Sequence, residues 1–99
     1  GHRKDGDWVT VAGIVICRQR PGTAKGFCFV TLEDETGLAN VVITPKLFEA
    51  NRRVVVRSPL LLVRGVLQKE QGVLNVRGKT FAAQGPGAGA AFAVSHDFR

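Results

Sequence analysis

Residues 38–52 read LANVVITPKLFEANR. Leu38 to Ile43 is apolar and β-branched enough to favour an extended strand. At Thr44-Pro45 the pattern changes. A threonine hydroxyl can accept from the amides of a first helical turn, and proline's fixed φ suits the first helical position. The spacing predicts a short helix from Lys46 to about Arg52, with Leu47, Phe48 and Ala50 available for packing. A strand running into a short capped helix constrains what can lie on either side of it.

On the N-terminal side, Trp8 to Cys17 (WVTVAGIVIC) reads as a first strand, with Gly13 marking a bulge or tight bend. Gln19 to Lys25 is a loop broken by Pro21-Gly22, and Gly26 to Glu33 (GFCFVTLE) is a second strand. Its alternation sets Cys28, Val30 and Leu32 on one face and Phe27, Phe29, Thr31 and Glu33 on the other. Asp34 to Gly37 closes a hairpin into the strand at Leu38. On the C-terminal side, Pro59 precedes a fourth strand, Leu60 to Gln68 (LLLVRGVLQ). A turn at Lys69 to Gly72 leads to a fifth, Val73 to Arg77 and on toward Phe81. VTVAGIV and LLVRGVL echo one another, as suits two strands that both bend sharply.

Three strands, a helix and two strands is the order of the OB-fold, an all-β five-stranded Greek-key barrel with one short helix between strands 3 and 4. SH3-like barrels share the short strands, and the helix position favours the OB arrangement. Residues 7–81 form this domain, residues 1–6 read as a leader or cloning remnant, and residues 82–99 as a Gly/Ala-rich linker and tail. Phe92 and Phe98 give that tail apolar anchors.

Ninety-nine residues allow one core but no cleft between domains. Apolar runs such as Pro59 to Val63 are too short to span a bilayer, so no membrane role is expected. Cys17 and Cys28 lie in apolar strands without CxxC spacing and read as buried, reduced thiols in a cytoplasmic protein. His2 and His96 are terminal and solitary, the only acidic cluster is a turn, and no nucleophile has a base beside it. The fragment therefore has no expected catalytic residue, metal or cofactor, and should be a monomer in isolation.

Fourteen Lys and Arg against eight acids give a net charge of +6. That balance suits an anionic partner. Its distribution is more telling. Arg18, Arg20 and Lys25 crowd the first loop, which leads directly to Phe27 and Phe29. OB barrels bind oligonucleotides across strands 2 and 3, between the loops joining strands 1–2 and 4–5. Cations there can meet phosphates while flat rings stack on unpaired bases. Lys69 in the second loop and Asn75 and Arg77 on strand 5 extend the candidate surface. Against this, strand phenylalanines are commonly core, and Arg52, Arg53 and Arg57 read as solvated charges beside the helix. Glu33, Asp34 and Glu35 would repel phosphate.

The run RQRPGTAKGFCFVTLEDETGLANVVITPKLFEANRRVV, followed by LLLVRGVLQKEQGVLNV, resembles the C-terminal OB domain of bacterial error-prone DNA polymerases, relatives of the polymerase III alpha subunit. The ending Ser95 to Arg99 is similar too, whereas GPGAGAA at 85–91 departs from the pattern. The resemblance implies a parent polymerase active in replication and repair during damage-induced mutagenesis. Single-stranded template DNA would be the partner, and the Mg²⁺-dependent nucleotidyl transfer would lie elsewhere in the chain. Shorter pieces, LEDETG among them, are similar to the anticodon-binding OB domains of class II aminoacyl-tRNA synthetases. There a strand-2 aromatic stacks on a base and a strand-3 amide reads one, positions matched by Phe29 and Asn40. Two other readings stand beside single-stranded DNA: an RNA-binding module, and a docking module for polymerase accessory proteins in which the two Phe insert into a partner.

Overall fold

The computed structural model describes residues 6–70 and 73–84. Five strands, β1 (Trp8–Gln19), β2 (Cys28–Asp34), β3 (Gly37–Ile43), β4 (Leu60–Glu70) and β5 (Val73–Ala83), close into a barrel in the order β1-β2-β3-β5-β4. All neighbours are antiparallel except β3 and β5, which run parallel from Asn40–Asn75 to Val42–Arg77. Two short helices, α1 (Pro45–Ala50) and α2 (Arg52–Arg57), bridge β3 and β4. This is the OB arrangement expected from the element order.

Closure requires β1 to serve two neighbours. Trp8 to Ile14 pair with β4, and Ile14 to Gln19 pair with β2. The bend between these halves falls at Gly13, where a Cβ would lie 2.6 Å from the Glu33 carbonyl oxygen. Backbones approach here more closely than any side chain allows. The bulge itself is three residues on, where the register jumps between Val15 and Cys17 and Ile16 is the extra residue. Gly65 does the same for β4: a Cβ would collide with the Arg77 carbonyl, and the register shifts between Arg64 and Gly65. The echo between the two glycine-containing runs thus marks two bent strands.

Inside the barrel Val11, Val30, Leu32, Val41, Ile43, Leu61, Val63, Leu67 and Val76 form the core, and Phe48 and Val55 from the helices close one end. Thr44 caps α1, its Oγ1 accepting from the Leu47 amide at 3.4 Å. Where one helix was expected there are two. Asn51 leaves helical geometry (φ −120°, ψ 21°), and its side-chain Nδ2 donates to the Leu47 carbonyl at 2.9 Å. The chain then turns again through Arg52–Arg57. Its three valines disfavour helix, but Val55 is wholly buried and tertiary packing outweighs that weak preference.

The barrel reaches Ala83, beyond the expected end of strand 5. Residues 1–5 and 85–99, which carry His2, His96 and nearly all of the leader and tail, lie outside the described residues. Both cysteines are free, but only Cys28 is buried as expected. Burial raises the Cys28 thiol's pKa, opposed by the Arg20 and Arg18 charges. Cys17 is half-buried because the bulge at Ile16 shifts the alternation of β1 by one residue and turns it outward.

Candidate nucleic-acid interface

Pairing registers align the outer side chains of four strands into rows. Gln19, Phe29, Val42 and Arg77 occupy one row across β1, β2, β3 and β5. Cys17, Thr31, Asn40 and Asn75 occupy the next. Their neighbours Val30, Val41 and Val76 are buried, so these residues project outward. Phe29 is 36% exposed on this outward side of the sheet. Thr31 donates its hydroxyl to Asn40 Oδ1 at 3.3 Å. That contact engages the Asn40 amide through its oxygen. Thr31 was not among the expected site residues, although the strand-2 alternation places it on the Phe29 face.

The loop between β1 and β2 makes a single 3-10 turn at Gly22–Ala24. Lys25 and Gly26 follow with positive φ, 54° and 91°. A Cβ at Gly26 would press on the Pro45 ring at 3.2 Å, so the loop lies against the start of α1. Lys25 is exposed at its tip. Arg18, near the end of β1, and Arg20, just past it, behave differently. Arg18 donates from Nε to the Val55 carbonyl at 2.8 Å and from Nη2 to the Ser58 carbonyl at 2.7 Å. It satisfies carbonyls at the end of α2 and favours the negative end of that helix, a structural employment the loop position did not foretell. Arg20 places its guanidinium 4.3 Å from the centroid of the Phe48 ring while staying exposed.

Phe27 precedes β2 and is half-buried, its amide donating to the Ala24 carbonyl at 3.1 Å. It lies just before the paired stretch of β2, which begins at Cys28. Asn75 and Arg77 fall in the two rows, and Arg77 is exposed, with no carboxylate against it among the described residues. Lys69 has its backbone in β4, and its side chain lies outside the described residues. At the far end of the sheet Asp34 Oδ1 accepts from the amide and hydroxyl of Thr36, both at 2.6 Å, holding the acidic hairpin closed. The face therefore runs from cationic at the β1–β2 loop to acidic at the β2–β3 hairpin.

Residues 9–83 match a family described as the OB-fold nucleic acid binding domain. The chain belongs to this family. Within it, the chain is similar to error-prone DNA polymerase 2 of Rhizobium meliloti, 51% identical over 72 residues, 73% of this chain and 7% of the polymerase. It is 53% identical over 78 residues to the error-prone DNA polymerase of Caulobacter vibrioides, 79% of this chain and 7% of that protein. The chain thus spans about 7% of the length of these relatives. Among solved structures, an asparaginyl-tRNA synthetase from Pyrococcus horikoshii superposes with a TM-score of 0.64 at 20% identity, over 83% of this chain and 21% of the synthetase. The S. pombe Stn1–Ten1 complex gives 0.58 at 17% identity, over 76% of this chain and 56% of that one. These likenesses show the OB fold, and the sequence similarity is to a region of error-prone polymerases. Among the described residues no helix is long and apolar enough to cross a membrane.

Proposed function

We propose that this OB-fold domain holds single-stranded template DNA across β1, β2, β3 and β5 as part of a cytoplasmic error-prone DNA polymerase serving damage-induced mutagenesis. The observation that supports this reading is one row of the sheet, where the partly exposed Phe29 and Arg77, which meets no carboxylate among the described residues, lie either side of Val42. A base stacked on Phe29 would carry its phosphates toward Arg77 on one side and Lys25 and Arg20 on the other. Asn40, its oxygen engaged by Thr31, would offer an amide donor to a base edge. Stacking tolerates any base, so sequence preference is expected to be weak. The similarity to error-prone polymerases over so small a part of their length supports a parent chain whose catalytic carboxylates lie elsewhere.

A titration of labelled single-stranded and duplex DNA at two salt concentrations tests this. Single strands should bind better. With Arg20, Lys25 and Arg77 on phosphates, and Arg18 engaged at α2, log K against log[salt] should have a slope of about −2, from roughly −0.7 per contact. Preference for duplex, or indifference to salt, would overturn the reading. An RNA oligonucleotide of the same sequence bound much more tightly than DNA would move the anticodon-type module ahead.

A second reading, docking of polymerase accessory proteins, is favoured by Ile14, Ile16 and Leu38, which are 44%, 49% and 55% exposed. Ile14 and Leu38 pair with Glu33 at the acidic end of the same sheet, and Ile16 is the bulge residue of β1. A domain that binds no oligonucleotide would put this surface first.

A further inference from the structure

The cations of this domain do not end at the β1–β2 loop. Phe48 at the start of the helical bridge is met by two guanidiniums, Arg20 from the loop at 4.3 Å and Arg52 from α2 at 5.6 Å. This ring therefore joins the loop cations to the helix cations. Beyond it lies an open groove lined by Glu49, Ala50, Arg52, Arg53, Val56 and Arg57. Arg53 and Arg57 are exposed, stand one helical turn apart, and also line the adjoining groove toward Ala83. Arg52 is paired with Glu49 at 3.3 Å, an exposed contact. Neither Arg53 nor Arg57 meets a carboxylate among the described residues. Residues 44–58 hold Lys46, Arg52, Arg53 and Arg57 against Glu49 alone.

Solvated arginines beside a helix are common, and charge alone would not single these out. Continuity does. Short helices at a barrel end need only their buried faces, Phe48 and Val55, and the exposed face is free to be any polar composition. Here it is strongly cationic, and it is contiguous through a shared ring with the loop that borders Phe29.

We infer that the helical bridge is a second phosphate track, which takes the backbone of the same single strand after it leaves the sheet past the β1–β2 loop. The inference rests on the proposed DNA-binding reading of the sheet and extends it. A strand seated on Phe29 and Lys25 passes Arg20 and Arg52 and sets its phosphates against Arg53 and Arg57. Bases need no readout there, because the described residues that line the groove include no aromatic ring. The track lengthens the bound strand without adding sequence preference.

The test uses the whole 99-residue chain and oligothymidylates at the two ends of the known OB site-size range, about 4 and about 16 nucleotides. The variant is Arg53→Gln with Arg57→Gln, a pair of exposed positions where Gln keeps helix propensity. On the long oligomer the variant should flatten the salt slope by about 1.4, from roughly 0.7 for each of two contacts. On the short oligomer it should match the parent. Equal loss on both lengths, or no loss on either, would overturn the track while leaving the sheet reading intact, provided Phe29→Ala still weakens both oligomers. If the parent binds neither oligomer at any salt, both readings fall together. A thermal melt of the variant close to that of the parent confirms that a loss comes from the groove.

Discussion

On the face built by the first half of β1, β4 and the end of β5, Arg64 sits 4.9 Å from the ring centroid of Trp8. On the opposite face, Phe29 and Arg77 share a row but Val42 stands between them. Each face thus carries one exposed ring and one arginine. Trp8 is the more exposed ring, 50% against 36% for Phe29. Exposure is therefore a poor guide to availability. The ring of Trp8 already has its cation, whereas among the described residues no cation lies over Phe29, and Arg77 meets no acid. A ligand stacking on Trp8 would compete with Arg64, whereas one stacking on Phe29 would displace no cation among the described residues.

The comparison depends on both faces sharing one rigid core, and the largest effect comes from breaking it. Leu67 on β4 is fully buried and pairs with Val76, directly beneath the Asn75–Arg77 stretch. Leu67→Ala should cost about 2–5 kcal/mol of stability, which for a domain this small approaches the whole folding free energy. Chemical denaturation should show it. DNA binding should fall only with the folded fraction, and a variant that stays folded but cannot bind would mean that the face is distorted locally and the core is not shared.

The next effect separates ring from scaffold. Phe29→Ala should weaken single-strand binding by about 1–3 kcal/mol if the ring stacks on a base. Phe29 is partly exposed and is not among the buried core residues, so a melt should shift little. A core role would instead cost about 3–5 kcal/mol of stability. A variant that melts and binds like the parent removes the stacking site and favours protein docking.

Much of this contrast was legible from local pattern. The strand-2 alternation placed Phe29 and Thr31 on one face and Cys28, Val30 and Leu32 on the other, as the burial shows. Thr44-Pro45 announced the helix that fixes the topology. What escaped were facts set by distant parts of the chain. Arg18 reaches carbonyls 37 and 40 residues away, a contact that no loop composition discloses. The helix over RRVVVR runs against the preference of its valines because Val55 fills the barrel end. Cys17 faces outward because one extra residue, Ile16, intervenes, and a bulge cannot be read from an unbroken apolar run. Phe27 lies outside the paired strand, since pairing begins only at Cys28, and alternation alone does not set where β2 starts.

A smaller effect sharpens the electrostatic side. Arg77→Gln should leave the fold intact, since the side chain is exposed and holds no partner among the described residues. It should reduce the salt slope of single-strand binding by about 0.7, one phosphate contact. An unchanged slope would mean that the strand passes on the loop side of Val42 only.

The smallest expected effect is at the other face, and it is the most direct check of the contrast. Arg64→Gln removes the cation above Trp8 and should cost about 0.5–1 kcal/mol, the value of an exposed cation–π contact. Because Trp8 is the single tryptophan of the chain, its fluorescence reports the surroundings of that ring. The emission should change in Arg64→Gln and stay constant when the parent is saturated with a short oligothymidylate. Binding should also match the parent at about 0.15 M salt, where screening over roughly 8 Å leaves little influence from a charge on the far side of the barrel. Should the oligomer quench Trp8 in step with binding, DNA would be displacing Arg64 from its ring. The two faces would then be one continuous site, and a ring with its cation in place would be no less available than one without.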